Sequence, residues 1–119
     1  MHSSALPVLL LTLLSATARA TIVTGILVRV NNTGVDNVAW LKGVEPCVEL
    51  AVLGPTSQDP CQNAFGVSSY NNLKLKNCGA DPMKLTAPGY EVDCKPASGY
   101  TVTCETQGKQ GQITKTFEC

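Results

Sequence analysis

Histidine is almost missing from this chain. The single one, His2, sits in an N-terminal apolar segment, so the remainder lacks Ser-His-Asp or Cys-His nucleophilic machinery, a histidine-based ribonuclease site and imidazole metal ligands. Arginine is nearly as scarce, with Arg19 and Arg29 alone, which rules out a multi-guanidinium clamp for phosphate or an oxyanion. No Gly-rich phosphate loop is present. Six aromatics (Trp40, Phe65, Tyr70, Tyr90, Tyr100 and Phe117) supply little bulk for a core.

Long hydrophobic runs are confined to the start. "MHSSALPVLLLTLLSATARA" carries an apolar run over residues 5–14 and ends in Ala18-Arg19-Ala20, the pattern of a secretory signal peptide with an A-x-A cleavage site. Spanning a bilayer takes about 20 apolar residues, and Ser15, Thr17 and Arg19 interrupt this run first. The expected organisation is a signal peptide over residues 1–20 and one domain over residues 21–119. No GPI-type tail, prenylation box or dibasic site follows. The expected product is soluble, extracellular and monomeric, without stable membrane insertion.

Net charge is also lacking. Loss of Arg19 with the leader leaves eight Lys and Arg against nine Asp and Glu, a formal net charge of −1. That balance offers no electrostatic footprint for a phosphate backbone, so no nucleic-acid partner is expected.

What the chain does have is cysteine. Cys47, Cys61, Cys78, Cys94, Cys104 and Cys119 all follow the leader, and an even number in a short exported chain reads as a disulfide framework. No two are close enough for a C-x₂₋₄-C zinc pair. Three bridges are expected, and no metal or other cofactor.

Patterning predicts a mainly β fold. "TIVTGILVRV" carries Ile22, Ile26, Val28 and Val30 on one side and Val23 and Leu27 on the other, as an interior strand does. "NNTG" is a turn and "VDNVAWLKG" a second extended piece. "CVELAVL" suits a strand or short helix, kept short by Gly54-Pro55. Asp59-Pro60 is a candidate N-cap and N1 pair for one or two helical turns. "NNLKLKNC" alternates Leu73 and Leu75 inward against Lys74 and Lys76 outward.

The last third reads as a three-stranded meander, "YEVDC", "YTVTC" and "QITKTFEC", with turns at "KPASG" and "QGKQG". The predicted inward set is Tyr90, Val92, Cys94, Tyr100, Val102, Cys104, Ile113, Phe117 and Cys119. The outward set is Glu91, Asp93, Thr101, Thr103, Glu105, Thr114, Thr116 and Glu118. Lys115 breaks the parity, which suggests a sheet edge. In this register Cys94 and Cys104 sit at opposite ends of a hairpin, too far apart to bond. The expected bridges therefore join Cys47, Cys61 and Cys78 to Cys94, Cys104 and Cys119.

Candidate sites are few. Glu45, Glu49, Asp59, Asp81, Glu91, Asp93 and Glu105 could supply a glycosidase carboxylate pair, but several fall on a solvated face and no catalytic residue is expected. Asn31-Asn32-Thr33 is an N-glycosylation sequon, nominating Asn31. Lys74 and Lys76 could meet an acidic partner or protect a sheet edge. Thr101, Thr103, Thr114 and Thr116 form a hydroxyl array suited to a flat ligand, or reflect strand preference alone.

In format (a leader, about 100 further residues, six spaced cysteines, no catalytic constellation) the chain resembles the small cysteine-rich secreted effectors of filamentous fungi. That resemblance implies a virulence-type protein acting in the host apoplast, or inside host cells after uptake, by binding a host component. It also implies a compact β-sandwich or an α+β killer-toxin-like fold. Strand spacing favours a disulfide-stapled antiparallel β-sandwich or barrel with at most one short helix. The expected function is non-enzymatic binding of a host protein or surface glycan. The alternatives are a membrane-active toxin or antimicrobial, and a hydrolase or protease inhibitor presenting residues 54–60.

Overall fold

The computed structural model describes residues 20–106 and 109–119. Except for Ala20, the predicted leader lies outside the described residues, as do Gln107 and Gly108 of the last predicted turn. The fold is mainly β, as expected: ten strands form two antiparallel sheets, with no α-helix among the described residues. The first sheet contains β1 (Ile22–Arg29), β2 (Val35–Leu41), β3 (Ala51–Pro55), β8 (Lys95–Pro96), β9 (Thr101–Cys104) and β10 (Gly111–Glu118). Its order is β3-β2-β1-β10, with β8 and β9 both lying along the far side of β10. The second sheet runs β4 (Phe65–Val67), β5 (Tyr70–Lys76), β6 (Lys84–Ala87), β7 (Tyr90–Asp93).

β1 is interior and apolar on both faces for the predicted reason: it has a core on each side. Ile22 and Ala39 pack with Val67, Leu73, Leu75, Met83, Leu85 and Cys94 of the second sheet. Val23, Leu27, Val38, Trp40, Cys104 and Ile113 form a separate cluster on the opposite face. Leu73 and Leu75 are buried and Lys74 and Lys76 exposed, as alternation requires.

The predicted meander is only partly present. β9 and β10 pair, with Val102 opposite Ile113 and Thr101 opposite Thr114. The first of the three segments does not join them: β7 pairs with β6 in the second sheet, Leu85 opposite Val92. Period-2 alternation marks a buried face but not which sheet owns it, and the segment's neighbour in sequence on the other side, β6, wins the pairing.

A bulge corrects the faces assigned to β10. Thr24 lies opposite Phe117 while Gly25 lies opposite Lys115, leaving Thr116 as the extra residue. One extra residue reverses the parity beyond it. Ile113 therefore faces one core, whereas Phe117 and Cys119 pack against the other. Lys115 marks this bulge rather than an edge, for β10 is paired on both sides.

The disulfides follow. Cys47–Cys104 joins the two halves of the chain as expected, but Cys61–Cys78 and Cys94–Cys119 do not. Cys94 leaves the second sheet and Cys119 ends the first on the face turned toward it, so the two meet between the sheets. Cys94 and Cys104 are not bonded to each other. Backbone bonds in both directions between Cys119 and Ile22, 2.8 and 3.1 Å, complete the anchoring of the last residue.

Two further segments differ from expectation. Asp59 Oδ1 accepts the Cys61 N–H at 2.9 Å, but only turns follow, closed by Cys61–Cys78. The strand in "CVELAVL" starts at Ala51, after a turn in which the Val48 and Glu49 N–H groups bond the Glu45 carbonyl. It then continues through Gly54 and Pro55. As an edge strand, β3 tolerates a residue with no N–H to offer.

Candidate functional site

On the face of the first sheet turned away from the second, residues 42–50 fold back across the sheet, and one end is filled by Cys47 and Leu50, fastened by Cys47–Cys104. The other end is open and forms a cleft of about 310 Å³ lined by Trp40, Lys42, Glu45, Tyr100, Lys115 and Glu118 among others. Its floor depends on Gly25. A β-carbon there would stand 2.9 and 3.0 Å from Cζ3 and Cη2 of Trp40, so the indole lies on the bare backbone of β1. Tyr100, immediately before β9, leans on the indole with ring centroids 6.2 Å apart at 41°, a tilted contact of the kind aromatic pairs favour.

The bulge supplies the charged wall. In a regular strand, residues three apart point to opposite faces; the extra Thr116 places Lys115 and Glu118 on the same one. Lys115 Nζ donates to Glu118 Oε2 at 2.9 Å and Lys42 Nζ to Oε1 at 3.0 Å. These two hydrogen bonds hold the Glu118 carboxyl below its ordinary range, against a smaller opposing effect of burial. Burial, then the charge of Glu45, pushes the Tyr100 phenol up, with Lys115 opposing. The cleft thus sets the half-buried Tyr100 ring, above an indole only 4% exposed, beside fixed donors and acceptors, a combination suited to a polyhydroxylated molecule with apolar faces.

The residues expected from sequence are placed elsewhere. Thr101, Thr103 and Thr114 are exposed on the opposite face, where the first sheet extends beyond the cover of the second. Thr101 and Thr114 are cross-strand partners with hydroxyls 3.4 Å apart. Thr116 does not belong with them: its hydroxyl meets that of Thr24 at 3.1 Å, partly buried. Glu118, assigned with the threonines, faces the cleft instead.

Lys74 and Lys76 are exposed on β5, but Lys76 pairs with Glu91 at 3.2 Å. Neighbouring Lys84 pairs with Asp93 at 2.6 Å, which raises the lysine pKa. Lys76 and Lys84 are thereby compensated within their own sheet. Asn31 is exposed in the β1–β2 turn. Asp59, Cys61 and Cys78 come close together, but both sulfurs are committed to one disulfide and offer no thiolate.

Sequence reasoning missed the cleft because its members come from four separate segments, at Val23, residues 40–45, Tyr100 and residues 115–118. Two signals pointed to it: Lys115 out of parity, and Gly25 isolated in a β-branched strand, where glycine often marks a bulge or a close approach. Comparison with family models, with curated proteins and with solved structures finds nothing that matches this chain.

Proposed function

We propose that this chain is a secreted, non-enzymatic binding protein of the cysteine-rich effector type, and that it engages a host surface glycan through the Trp40–Tyr100 cleft. The observation that carries this reading is the combination in one cleft of the half-buried Tyr100 ring, tilted against the buried indole of Trp40, with Lys42, Lys115, Glu118 and Glu45. Sugar hydroxyls need donors and acceptors together, and the C–H faces of a pyranose suit an aromatic wall. The volume is at the lower end of the range of about 300–1,000 Å³ for small-ligand sites, which suits a glycan terminus rather than a long polymer. Three disulfides in so small a β protein are compatible with an extracellular location. A net charge near zero favours a glycan over an anionic membrane.

The test is a glycan array followed by solution titration of each retained oligosaccharide. Trp40 is the sole tryptophan, so its emission reports the cleft directly. Expected are a saturable change in that emission, weakening of binding at least tenfold in Tyr100→Ala, and recovery of the oligosaccharide uncleaved. Retention of no glycan, binding indifferent to Tyr100, or hydrolysis of the bound sugar would each overturn the reading.

A further inference from the structure

The far end of the first sheet carries an unexplained apolar surface. β1 and β2 are joined by a tight turn in which Arg29 N–H bonds the Gly34 carbonyl at 2.9 Å and Val30 opens a short 3-10 turn. Val28 and Val35 are direct cross-strand partners on the same face as Ile22, past the area that the second sheet covers. Val28 is 40% exposed, Val30 45% and Val35 38%, so three of the large exposed apolar side chains gather at this single hairpin tip. The three form a small contiguous apolar patch beside the turn.

The sequon occupies the same tip. Asn31 is exposed and holds a left-handed conformation, φ 60° and ψ 23°, one that asparagine tolerates better than most residues. Two residues on, Thr33 is also exposed, its hydroxyl donating to the Val30 carbonyl at 3.1 Å. The modifiable amide therefore sits exposed in the turn that the valines flank, at one end of the first sheet. At about 3.3 Å per residue, the seven steps from Val23 in the cleft to Val30 put this tip roughly 20 Å from the glycan-binding end.

We infer that Asn31 carries an N-linked glycan whose first sugars fold onto Val28, Val30 and Val35 as the cover of this patch. The apolar faces of N-acetylglucosamine rings are matched to β-branched side chains, and a tether at Asn31 makes the contact intramolecular, so a weak affinity suffices. The oligosaccharide serves as part of the surface, keeping the hairpin tip from associating with other chains. Its distance from the cleft leaves ligand binding there independent of it.

The experiment expresses the full chain in a eukaryotic secretory cell line and measures the mass of the secreted product before and after peptide-N-glycosidase. That enzyme leaves aspartate at the released site, so Asn31→Asp serves as the matched unmodified protein. A mass loss equal to one glycan, absent in Asn31→Asp, is expected. Removal of the glycan should raise binding of the dye ANS severalfold, and Val28→Thr with Val35→Thr in the Asn31→Asp background should abolish that rise. A secreted chain with Asn31 unmodified, or failure of the chain to enter the secretory route, overturns the assignment. A modified chain whose ANS binding is unchanged by deglycosylation overturns the covering role. Cleft binding by Trp40 fluorescence is expected to be equal in both forms, so this test and that of the glycan-binding reading fail separately.

Discussion

Trp40 rests on Gly25: a single methyl added to that glycine would meet the indole at 2.9 Å and the Thr114 carbonyl oxygen at 2.5 Å. Both neighbours are held in place, one a buried side chain and the other backbone of the adjacent strand. Gly25→Ala is therefore expected to destabilise the fold by about 1–3 kcal/mol, the usual cost of overpacking, despite alanine's better strand entropy. Urea unfolding followed by Trp40 emission measures it, and the folded baseline should shift as the indole moves. A variant as stable as the parent would show that the sheet yields at no cost.

Cys119 has three attachments, the bridge to Cys94 and two ladder bonds to Ile22. Cys119→Ser removes one of them and should leave exactly one cysteine, Cys94, titratable in denaturant. For a closed loop spanning a sequence separation of 25, the chain-entropy model gives a loss of about 3–4 kcal/mol. Hydrogen exchange at Cys94 and along β10 is expected to rise more than at β5. Equal protection everywhere would mean that the bridge does not hold the sheets together.

The hydroxyls of Thr24 and Thr116 satisfy each other, and Thr24 is 5% exposed. Thr24→Val should leave the Thr116 hydroxyl without its partner and cost about 1 kcal/mol. With Thr116→Val added, the pair becomes apolar and much of that loss should return. A double-mutant cycle in urea reads the coupling, and strict additivity would argue against the bond.

Glu118 gives a pH dependence of known sign. Its folded carboxyl titrates below the ordinary value of 4.5, through hydrogen bonds from Lys115 and Lys42. The folded state therefore binds the proton less readily than the unfolded chain. The stabilisation is fully present above pH 4.5 and disappears as pH falls through the depressed folded value. Glu118→Gln is expected to be less stable than the parent by about 0.5–1 kcal/mol at pH 7, the scale of an exposed ion pair. The two should converge on acidification. A gap that stays constant to pH 2 would assign the loss to packing.

Much of the fold was legible in the residues, because side-chain alternation is a local property. The two-faced β1, the turn at Asn31, the Leu73/Leu75 face of β5 and the pairing of β9 with β10 all follow from period-2 patterns and turn chemistry. A mainly β, disulfide-stapled architecture follows from those patterns and the cysteine count together. The cleft was not legible in the same way. Trp40, Tyr100, Lys115 and Glu118 become neighbours through strand order and one bulge, neither of which alternation records.

The terminal "TFEC" separates the two kinds of information. Alternation determined that this segment is a strand, and the even cysteine count that its cysteine belongs to a paired set of six. Only the tertiary structure decided which face that cysteine would meet, and hence which partner it would take. The physical reason is the extra residue at Thr116: one inserted step turns Phe117 and Cys119 toward the second sheet and Glu118 toward the cleft. A strand's period is carried by its own side chains, whereas a bulge is set by the fit of two strands against the cores on either side.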